Sequence, residues 1–250
     1  MTLDEILPDL RRRQSVDVRH AETGLWAASM LRERISAGQL APGAKLSEEP
    51  LCEVLGVSRN TLREAFATLA GEHIVTRIPN RGVFVTRPTA EDIREIYRVR
   101  RFLEPAALTW STQPHTEALH RAIARACAAR SAGSVAGMAG ANQDFHAGVV
   151  ALTGSDRLNL QMTQVLAEMR LVFHSMVADP LFHSPFIDDN AVILERFEAG
   201  HRTEAAALMV DYLRRAEQQL LDALRHQVVG VAGVRDEHVA GGVADRERRA

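Results

Sequence analysis

Residues 51–70 constrain the fold of this chain more than any other segment. Their apolar residues recur at helical spacing on both sides of Gly56, and Ser58 stands where a side-chain cap would begin a second helix. That second helix opens with Arg59 and carries Arg63 one turn later. Guanidinium groups at the start of a capped helix suit the donor and acceptor pattern of a DNA major groove. The segment therefore predicts a helix-turn-helix.

Two short β-prone runs follow this helix pair. Ile74–Ile78 and Val83–Thr86 flank a Pro-Asn-Arg-Gly turn at 79–82, which predicts a β-hairpin. A hairpin in this place is the wing of a winged helix. We predict a winged helix-turn-helix domain over residues 26–87, preceded by an N-terminal arm at 1–25.

Strand signals end at residue 87, and helical periodicity takes over. The spacing predicts helices at about 90–110, 115–131, 134–152, 156–178, 186–199 and 203–227. We therefore predict a mainly α protein whose second domain, residues 88–228, is an all-helical bundle. Residues 229–250 are rich in Gly, Ala and Arg without periodicity, which predicts a disordered tail.

The charge distribution points to a local DNA-binding surface. The chain has a net charge of −2, yet residues 59–87 contain five arginines against Glu64 and Glu72. No apolar run reaches the roughly 18 residues that a membrane span requires, so we expect no membrane partner. Cys52 and Cys127 are widely separated, and we expect reduced thiols in a cytoplasmic protein.

The order and spacing of five motifs resemble the GntR family of bacterial transcription regulators. The motifs are Gly38-x-Leu40-x-Pro42-Gly43, Leu46-Ser47-Glu48, Leu55-Gly56-Val57-Ser58-Arg59, Leu62-Arg63-Glu64-Ala65 and Asn80-Arg81-Gly82. The second domain resembles the FadR-like, or FCD, subfamily at Val99–Glu104 and at Phe145-His146. The resemblance covers residues 26–227. It implies a homodimeric regulator, most often a repressor, that binds an inverted repeat in double-stranded DNA and responds to a small-molecule effector.

The resemblance also implies a separate role for each group of DNA-binding residues. The base readers would be Arg59, Asn60 and Arg63, with Ser58 and Thr61 on phosphate groups. Arg81 and Gly82 would belong to the wing. The alternative is that these arginines lie on a solvated helix face and do not contact DNA. The full motif argues against it.

Many members of the subfamily hold a divalent metal at the bundle centre through an Asp and three His. The matching positions here are Asn142, His146, Asn190 and Tyr212. Only one strong ligand remains, so we expect no metal and instead a neutral polar effector pocket. Arg100 could clamp an anionic group of a small polar metabolite. Its structural alternative is an i,i+4 pair with Glu104.

Two rival functions stay open from the sequence. The helical domain could serve only to dimerise a DNA-binding protein that has lost its ligand response. It could also be an enzyme with an accessory DNA-binding domain. The bundle shows no nucleophile–base pair and no phosphate loop, and Lys45, the only lysine, lies beside the DNA-binding helices. We therefore expect no catalytic residues and no cofactor.

Overall fold

The structure, a computed structural model, describes residues 20–111, 115–175 and 182–247. The first domain combines three helices with a small antiparallel sheet of strand order β1-β3-β2. Its elements are α1 (His20–Ser36), β1 (Lys45–Leu46), α2 (Glu48–Leu55), α3 (Arg59–Gly71), β2 (Val75–Ile78) and β3 (Gly82–Val85). This is the predicted winged helix-turn-helix.

The turn between α2 and α3 follows from two residues. Gly56 ends α2 with φ 65° and ψ 30°, the left-handed conformation that glycine adopts without steric cost. The Ser58 side chain then accepts a hydrogen bond from the Thr61 backbone N–H and so caps α3. The apolar face of α3, with Leu62, Phe66 and Leu69, is buried in the core of this domain.

The second domain contains only helices in the described residues. They are α4 (Ala90–Trp110), α5 (Glu117–Ser131), α6 (Val135–Ala151), α7 (Asp156–Ser175), α8 (Ser184–Glu198) and α9 (Arg202–Glu247). A reciprocal capping box begins α4, because the Thr89 hydroxyl accepts from the Asp92 N–H while Asp92 accepts from the Thr89 N–H at 2.7 Å. The mainly α fold class predicted from the sequence is confirmed.

Three element boundaries differ from the sequence prediction. Helix α1 begins at His20, so residues 20–25 are helical rather than part of an arm, while residues 1–19 of that arm lie outside the described residues. Residues Lys45–Leu46 form strand β1, for which the sequence analysis predicted no strand. Helix α9 continues to Glu247, although the sequence predicted a disordered tail from residue 229. Residues 229–247 contain no proline, the residue that most strongly opposes a helix.

The two domains pack against one another through α7. Leu171 is buried in the hydrophobic core of the first domain, and Ala167, one turn earlier, packs beside it. The His174 ring lies 2.9 Å from the Ser36 carbonyl oxygen at the end of α1. Helix α7 therefore belongs to the bundle while covering part of the DNA-binding domain. None of the helices in the described ranges is long and apolar enough to cross a membrane.

Candidate functional site

The start of α3 presents its polar side chains to solvent. Arg59, Asn60 and Arg63 are all exposed, and Arg59 makes no hydrogen bond or ion pair with any residue that the structure describes. Asn60 donates to Glu64 Oε1 at 2.9 Å. The helix thus offers one free guanidinium and two partly engaged polar groups on a single exposed face.

Arg63 has a carboxylate partner that the sequence analysis did not identify. Its Nε and Nη2 donate to the two oxygens of Glu48 at 3.0 and 3.1 Å, a bidentate pair between α3 and the start of α2. The hydrogen bond from Arg63 lowers the pKa of Glu48 below its usual value, so the carboxylate stays ionised. If Arg63 reads a base, its hydrogen bonds to Glu48 must be replaced by hydrogen bonds to DNA.

The hydroxyl groups of Ser58 and Thr61 lie 2.8 Å apart. Both residues sit at the N-terminus of α3, where backbone N–H groups and the helix dipole favour an anion. This position suits a phosphate group, although the Ser58 oxygen is already used as the helix cap.

The wing turn contains two residues with left-handed backbone. Asn80 has φ 59° and Gly82 has φ 110°. A side chain at Gly82 would therefore be strained, and its Cβ would approach the Lys45 side chain to 3.4 Å. Next to them, the Arg81 guanidinium lies 5.9 Å from the centre of the Phe84 ring. The wing tip is thus a tight turn with one exposed cation.

The centre of the bundle holds a connected chain of buried polar groups. Arg100 Nε donates to Glu104 Oε1 at 2.7 Å, and the other Glu104 oxygen lies 2.6 Å from His146 Nδ1. His146 Nε2 lies 3.0 Å from the Tyr212 hydroxyl. The chain therefore runs from α4 through α6 to α9, and it joins Arg100 to Tyr212 without a break.

Two asparagines extend this chain. Asn142 Oδ1 accepts from the Tyr212 hydroxyl at 3.0 Å and from Asn190 Nδ2 at 2.7 Å. The structure thus brings together all five predicted effector residues, and each is at most 8% exposed. We call these residues together with Glu104 the central network: Arg100, Glu104, Asn142, His146, Asn190 and Tyr212.

The charges within the central network cancel. Burial disfavours ionised Glu104, but Arg100 and then His146 outweigh it, and the pKa of Glu104 is lowered. Burial likewise opposes the charge on Arg100, but the nearby Glu104 raises the guanidinium's pKa. Burial lowers the pKa of His146 despite the adjacent carboxylate, so its ring is neutral at pH 7. Arg100 and Glu104 form the i,i+4 pair that the sequence left as an alternative.

Neutral His146 leaves this network one hydrogen short. Its Nδ1–H donates to the Glu104 carboxylate, so Nε2 must accept. The single Tyr212 hydrogen can then go to His146 Nε2 or to Asn142 Oδ1, but not to both. Two further buried atoms, Arg100 Nη2 and Asn190 Oδ1, have no hydrogen-bond partner among the described residues. The network therefore retains unused donor and acceptor capacity.

A small cavity adjoins the central network. Its volume is about 10 Å³, which is about the space of one water molecule. Part of its lining is polar, with Arg100, Gln143 and His146, and another part forms an aromatic wall. The aromatic wall consists of Phe173, Phe182, His183 and Phe186, whose neighbouring rings have centroids 4.8–6.1 Å apart. A ligand larger than water would have to displace part of this wall.

Sequence reasoning missed several members of this site. Glu104 was identified only as a partner of Arg100, and its contact with His146 joins residues 42 positions apart. Gln143 has its amide held by the Leu166 carbonyl at 3.2 Å and by Arg170. The i,i+4 spacing of Arg100 and Glu104 was the only local signal for any of these contacts.

The residues at the family's metal positions do not fit a divalent metal. Both nitrogens of His146, the only imidazole among them, already contact Glu104 and Tyr212. Amide and phenol groups are weak ligands for Zn²⁺. The nearby carboxylates Asp188, Asp189 and Asp211 form ion pairs with surface arginines. Among the described residues, no three His, Cys, Asp or Glu side chains are grouped so as to hold a metal.

A winged helix with an exposed arginine-bearing recognition helix, joined to a helical domain with a buried polar centre, defines a DNA-binding transcription regulator. Comparison with known families agrees. Residues 26–85 match the bacterial regulatory proteins of the gntR family, and residues 95–215 match the FCD domain. This chain belongs to the GntR family and has the FCD type of second domain.

Individual relatives support this assignment. A solved GntR-type transcriptional regulator from Rhodococcus sp. RHA1 is 38% identical, covers 80% of this chain and 98% of that one, and superposes with a TM-score of 0.75. The Nta operon transcriptional regulator of Aminobacter aminovorans is 25% identical over 76% of this chain and 90% of its own length. The gluconate operon transcriptional repressor of Bacillus licheniformis is 42% identical, but the chain spans only 34% of that protein's length.

Proposed function

We propose that this regulator is a repressor, which binds an inverted repeat as a homodimer and leaves it when a small polar molecule enters the helical domain. The observation that carries the proposal is the combination of an exposed recognition helix with a buried polar network that has unused hydrogen-bonding groups. The repressor name of the gluconate relative supports the direction of regulation.

The proposed base readers are Arg59, Asn60 and Arg63. An arginine fork matches the O6 and N7 acceptors of guanine, and an asparagine amide matches adenine. Ser58 and Thr61 would contact phosphate at the N-terminus of α3, and Arg81 and Gly82 would bring the wing to the adjacent groove. This division assigns sequence recognition to α3 and positioning to its cap and the wing.

The reader assignment is tested by replacing one arginine. Arg63→Ala should weaken operator binding by about 1–3 kcal/mol and relax the preference at one base pair, measured by fluorescence anisotropy at fixed salt. Arg94→Ala, which removes an exposed arginine from α4, is the control and should leave affinity unchanged. Equal operator affinity for Arg63→Ala and the unaltered chain would refute the assignment.

A two-fold symmetric dimer implies two equivalent DNA half-sites. Footprinting should therefore protect two inverted half-sites, and the complex should contain two chains. Protection of an isolated half-site by a single chain would contradict the homodimer.

The proposed effector binds where Arg100 Nη2 and Asn190 Oδ1 are unpartnered, with Asn142, His146 and Tyr212 beside it. Such a ligand gains hydrogen bonds that the closed protein cannot make. Because the present cavity of about 10 Å³ is too small, the ligand must favour a conformation with a displaced aromatic wall. Binding is thereby coupled to movement of α7, which carries Phe173 and also contacts the DNA-binding domain.

The charge balance favours an uncharged polar ligand. Arg100 is already neutralised by Glu104 at 2.7 Å, so an anion would have to separate this pair or face the carboxylate. A molecule with both hydroxyl and carbonyl groups meets the unused donor and acceptor at no such cost. An anionic metabolite remains the alternative ligand class, and binding assays distinguish the two.

The effector is tested by a thermal-shift screen with polyols, sugar lactones and small carboxylates, followed by operator release. Asn190→Leu should abolish both the shift and the release while operator affinity is unchanged, because the amide is lost at nearly constant volume. Gln161→Leu on the exposed face of α7 is the matched control and should respond normally. A normal response in Asn190→Leu would show that the central network is not the effector site.

One observation favours a second candidate function. The central network is almost closed and its ion pair is internally satisfied, as in a bundle that only dimerises. If no compound of the screen stabilises the folded chain while operator binding is intact, this second function is the better description.

A further inference from the structure

A second and much larger cavity lies at the junction of the two domains. Its volume is about 460 Å³, within the range of small-molecule sites. The DNA-binding domain contributes Val75 and His73, and the bundle contributes Ile96, Glu168 and Leu171. Val75, Ile96 and Leu171 are buried and form an apolar floor. No residue of the central network lines this cavity.

Two bundle helices each present an acidic residue beside an apolar one. Asp92 and Ile96 are i and i+4 on α4, and Glu168 and Leu171 are i and i+3 on α7, so each pair shares a helix face. All four line the cavity. The carboxylates therefore stand next to the apolar floor, from opposite helices.

Glu168 is the unsatisfied charge of this cavity. It is half-buried, and it makes no hydrogen bond or ion pair with the residues that the structure describes. Burial raises its pKa, and Asp92 adds to the rise, whereas His73 opposes it. A positive partner would relieve both the desolvation and the repulsion between the two carboxylates.

Neither of the two arginines that line the cavity pairs with Glu168. Arg87 donates its Nε to the Pro42 carbonyl at 3.3 Å, and its guanidinium lies over Gly43. Arg77 is exposed on β2 and is not among the charged groups that shift the pKa of Glu168. The hydroxyls of Thr76 and Thr86 bond to each other at 3.0 Å. The Glu168 carboxylate is therefore available to bind a ligand.

We propose that this junction cavity is a second ligand site, which takes a small organic cation: an ammonium group on an apolar, ring-sized body. The ammonium group pairs with Glu168 and approaches Asp92, and the apolar body lies on Val75, Ile96 and Leu171. Since the walls belong to both domains, the ligand holds the winged helix against α4 and α7. The site is separate from the proposed effector site, and it does not depend on it.

Three indole compounds of similar shape and different charge test the site on the full-length chain. They are tryptamine, which is a cation, the neutral indole-3-ethanol and the anion indole-3-acetate. Isothermal titration calorimetry at pH 7.5 should show saturable binding of tryptamine at one molecule per chain. Indole-3-ethanol should bind about tenfold more weakly, since it lacks the charge-assisted hydrogen bond, and indole-3-acetate more weakly still.

Glu168→Gln should reduce tryptamine affinity to that of indole-3-ethanol and leave indole-3-ethanol unchanged. The matched control Glu195→Gln, on the exposed face of α8, should bind tryptamine normally. Ala70→Leu, which narrows the cavity, should weaken both indoles together; melting temperatures establish that each variant is folded. The proposal is overturned if tryptamine does not bind saturably, if Glu168→Gln retains its affinity, or if indole-3-acetate binds as tightly as tryptamine.

Discussion

At the scale of single residues, Glu48 would compete with DNA for Arg63 if Arg63 is the base reader that we propose. Glu48 accepts both arginine hydrogen bonds and places a negative charge beside the proposed DNA-binding face of α3. We predict that Glu48→Gln binds the operator several-fold more tightly, because Arg63 is released and a repulsion is removed. Fluorescence anisotropy at two salt concentrations measures the change.

Glu49→Gln is the matched control for this variant. It removes the same charge from the next residue of α2, yet Glu49 is not the partner of Arg63. Equal gains in the two variants would show that general electrostatics, rather than the release of Arg63, accounts for the effect.

The neutral His146 ring makes stability depend on pH. Burial, its largest cause, holds the pKa of His146 below the ordinary value of 6.5. As pH falls below 6.5, the unfolded chain takes up a proton that the folded ring does not, so the stability present at higher pH is lost. We predict that this loss reaches about 1.4 kcal/mol per pH unit between pH 6.5 and the lower folded-state pKa.

The measurement is urea unfolding of the unaltered chain and of His146→Gln from pH 7.5 to 5. The variant should be less stable at pH 7.5 but should lose less stability on acidification. Equal slopes for the two proteins would mean that His146 does not take part in the acid destabilisation.

The central network contains some contacts that the sequence predicted and others that it could not predict. The family motif indicated that Asn142, His146, Asn190 and Tyr212 meet, and they do meet. The second contact of Glu104 could not be read from the sequence, because it depends on the rotation of α4 against α6. The aromatic wall was also unpredictable, since His183 resembles any surface histidine until the packing of α7 and α8 is known.

At the scale of elements, the N-cap of α4 lies where the two domains are connected. Thr89 lies between the wing and the bundle, and its side chain completes the capping box with Asp92. We predict that Thr89→Ala destabilises the protein by about 1 kcal/mol in urea unfolding, because an N-cap hydrogen bond is lost. Ser47→Ala is the control: Ser47 precedes α2 but makes no side-chain cap bond. A similar loss in both variants would show that the capping box is not the cause.

Local patterns predicted the long elements better than the short ones. Helix α4 was predicted at its observed position because helical periodicity begins directly after the strand signals end. Strand β1 has two residues, and it forms only because Lys45 and Leu46 pair with Phe84 and Val83 of β3. No pattern of two residues can signal such a long-range pairing.

At the scale of the whole molecule, helix α7 serves both domains. Leu171 supports the core of the winged helix, Phe173 closes the aromatic wall, and Glu168 faces the junction cavity. A ligand at either proposed site therefore acts on the same helix. Any ligand that shifts α7 changes the support of the DNA-binding domain, which gives the two sites a common physical route to the operator.

The exposed side of α4 indicates where the proposed homodimer forms. Phe102 and Trp110 are 77% and 78% exposed, and with Ala106 they form one apolar stripe at helical spacing. A two-fold axis that passes between Phe102 and Ala106 would set Phe102 against the partner's Ala106, a large side chain against a small one. The same axis would set Trp110 beside the partner's Arg98, in reach of a cation–π contact. The stripe is therefore complementary to itself.

We predict that Phe102→Glu converts the proposed dimer to a monomer and weakens operator binding strongly, because each charge then lies against the partner's apolar Ala106 and the two like charges lie close to the axis. Leu160→Glu, which changes an equally apolar residue that is 59% exposed on α7, is the matched control and should remain dimeric. Sedimentation velocity gives the oligomeric state, and circular dichroism establishes that both variants fold. A dimer that survives Phe102→Glu would place the interface on another face of the bundle, whereas loss of the dimer in both variants would point to general destabilisation.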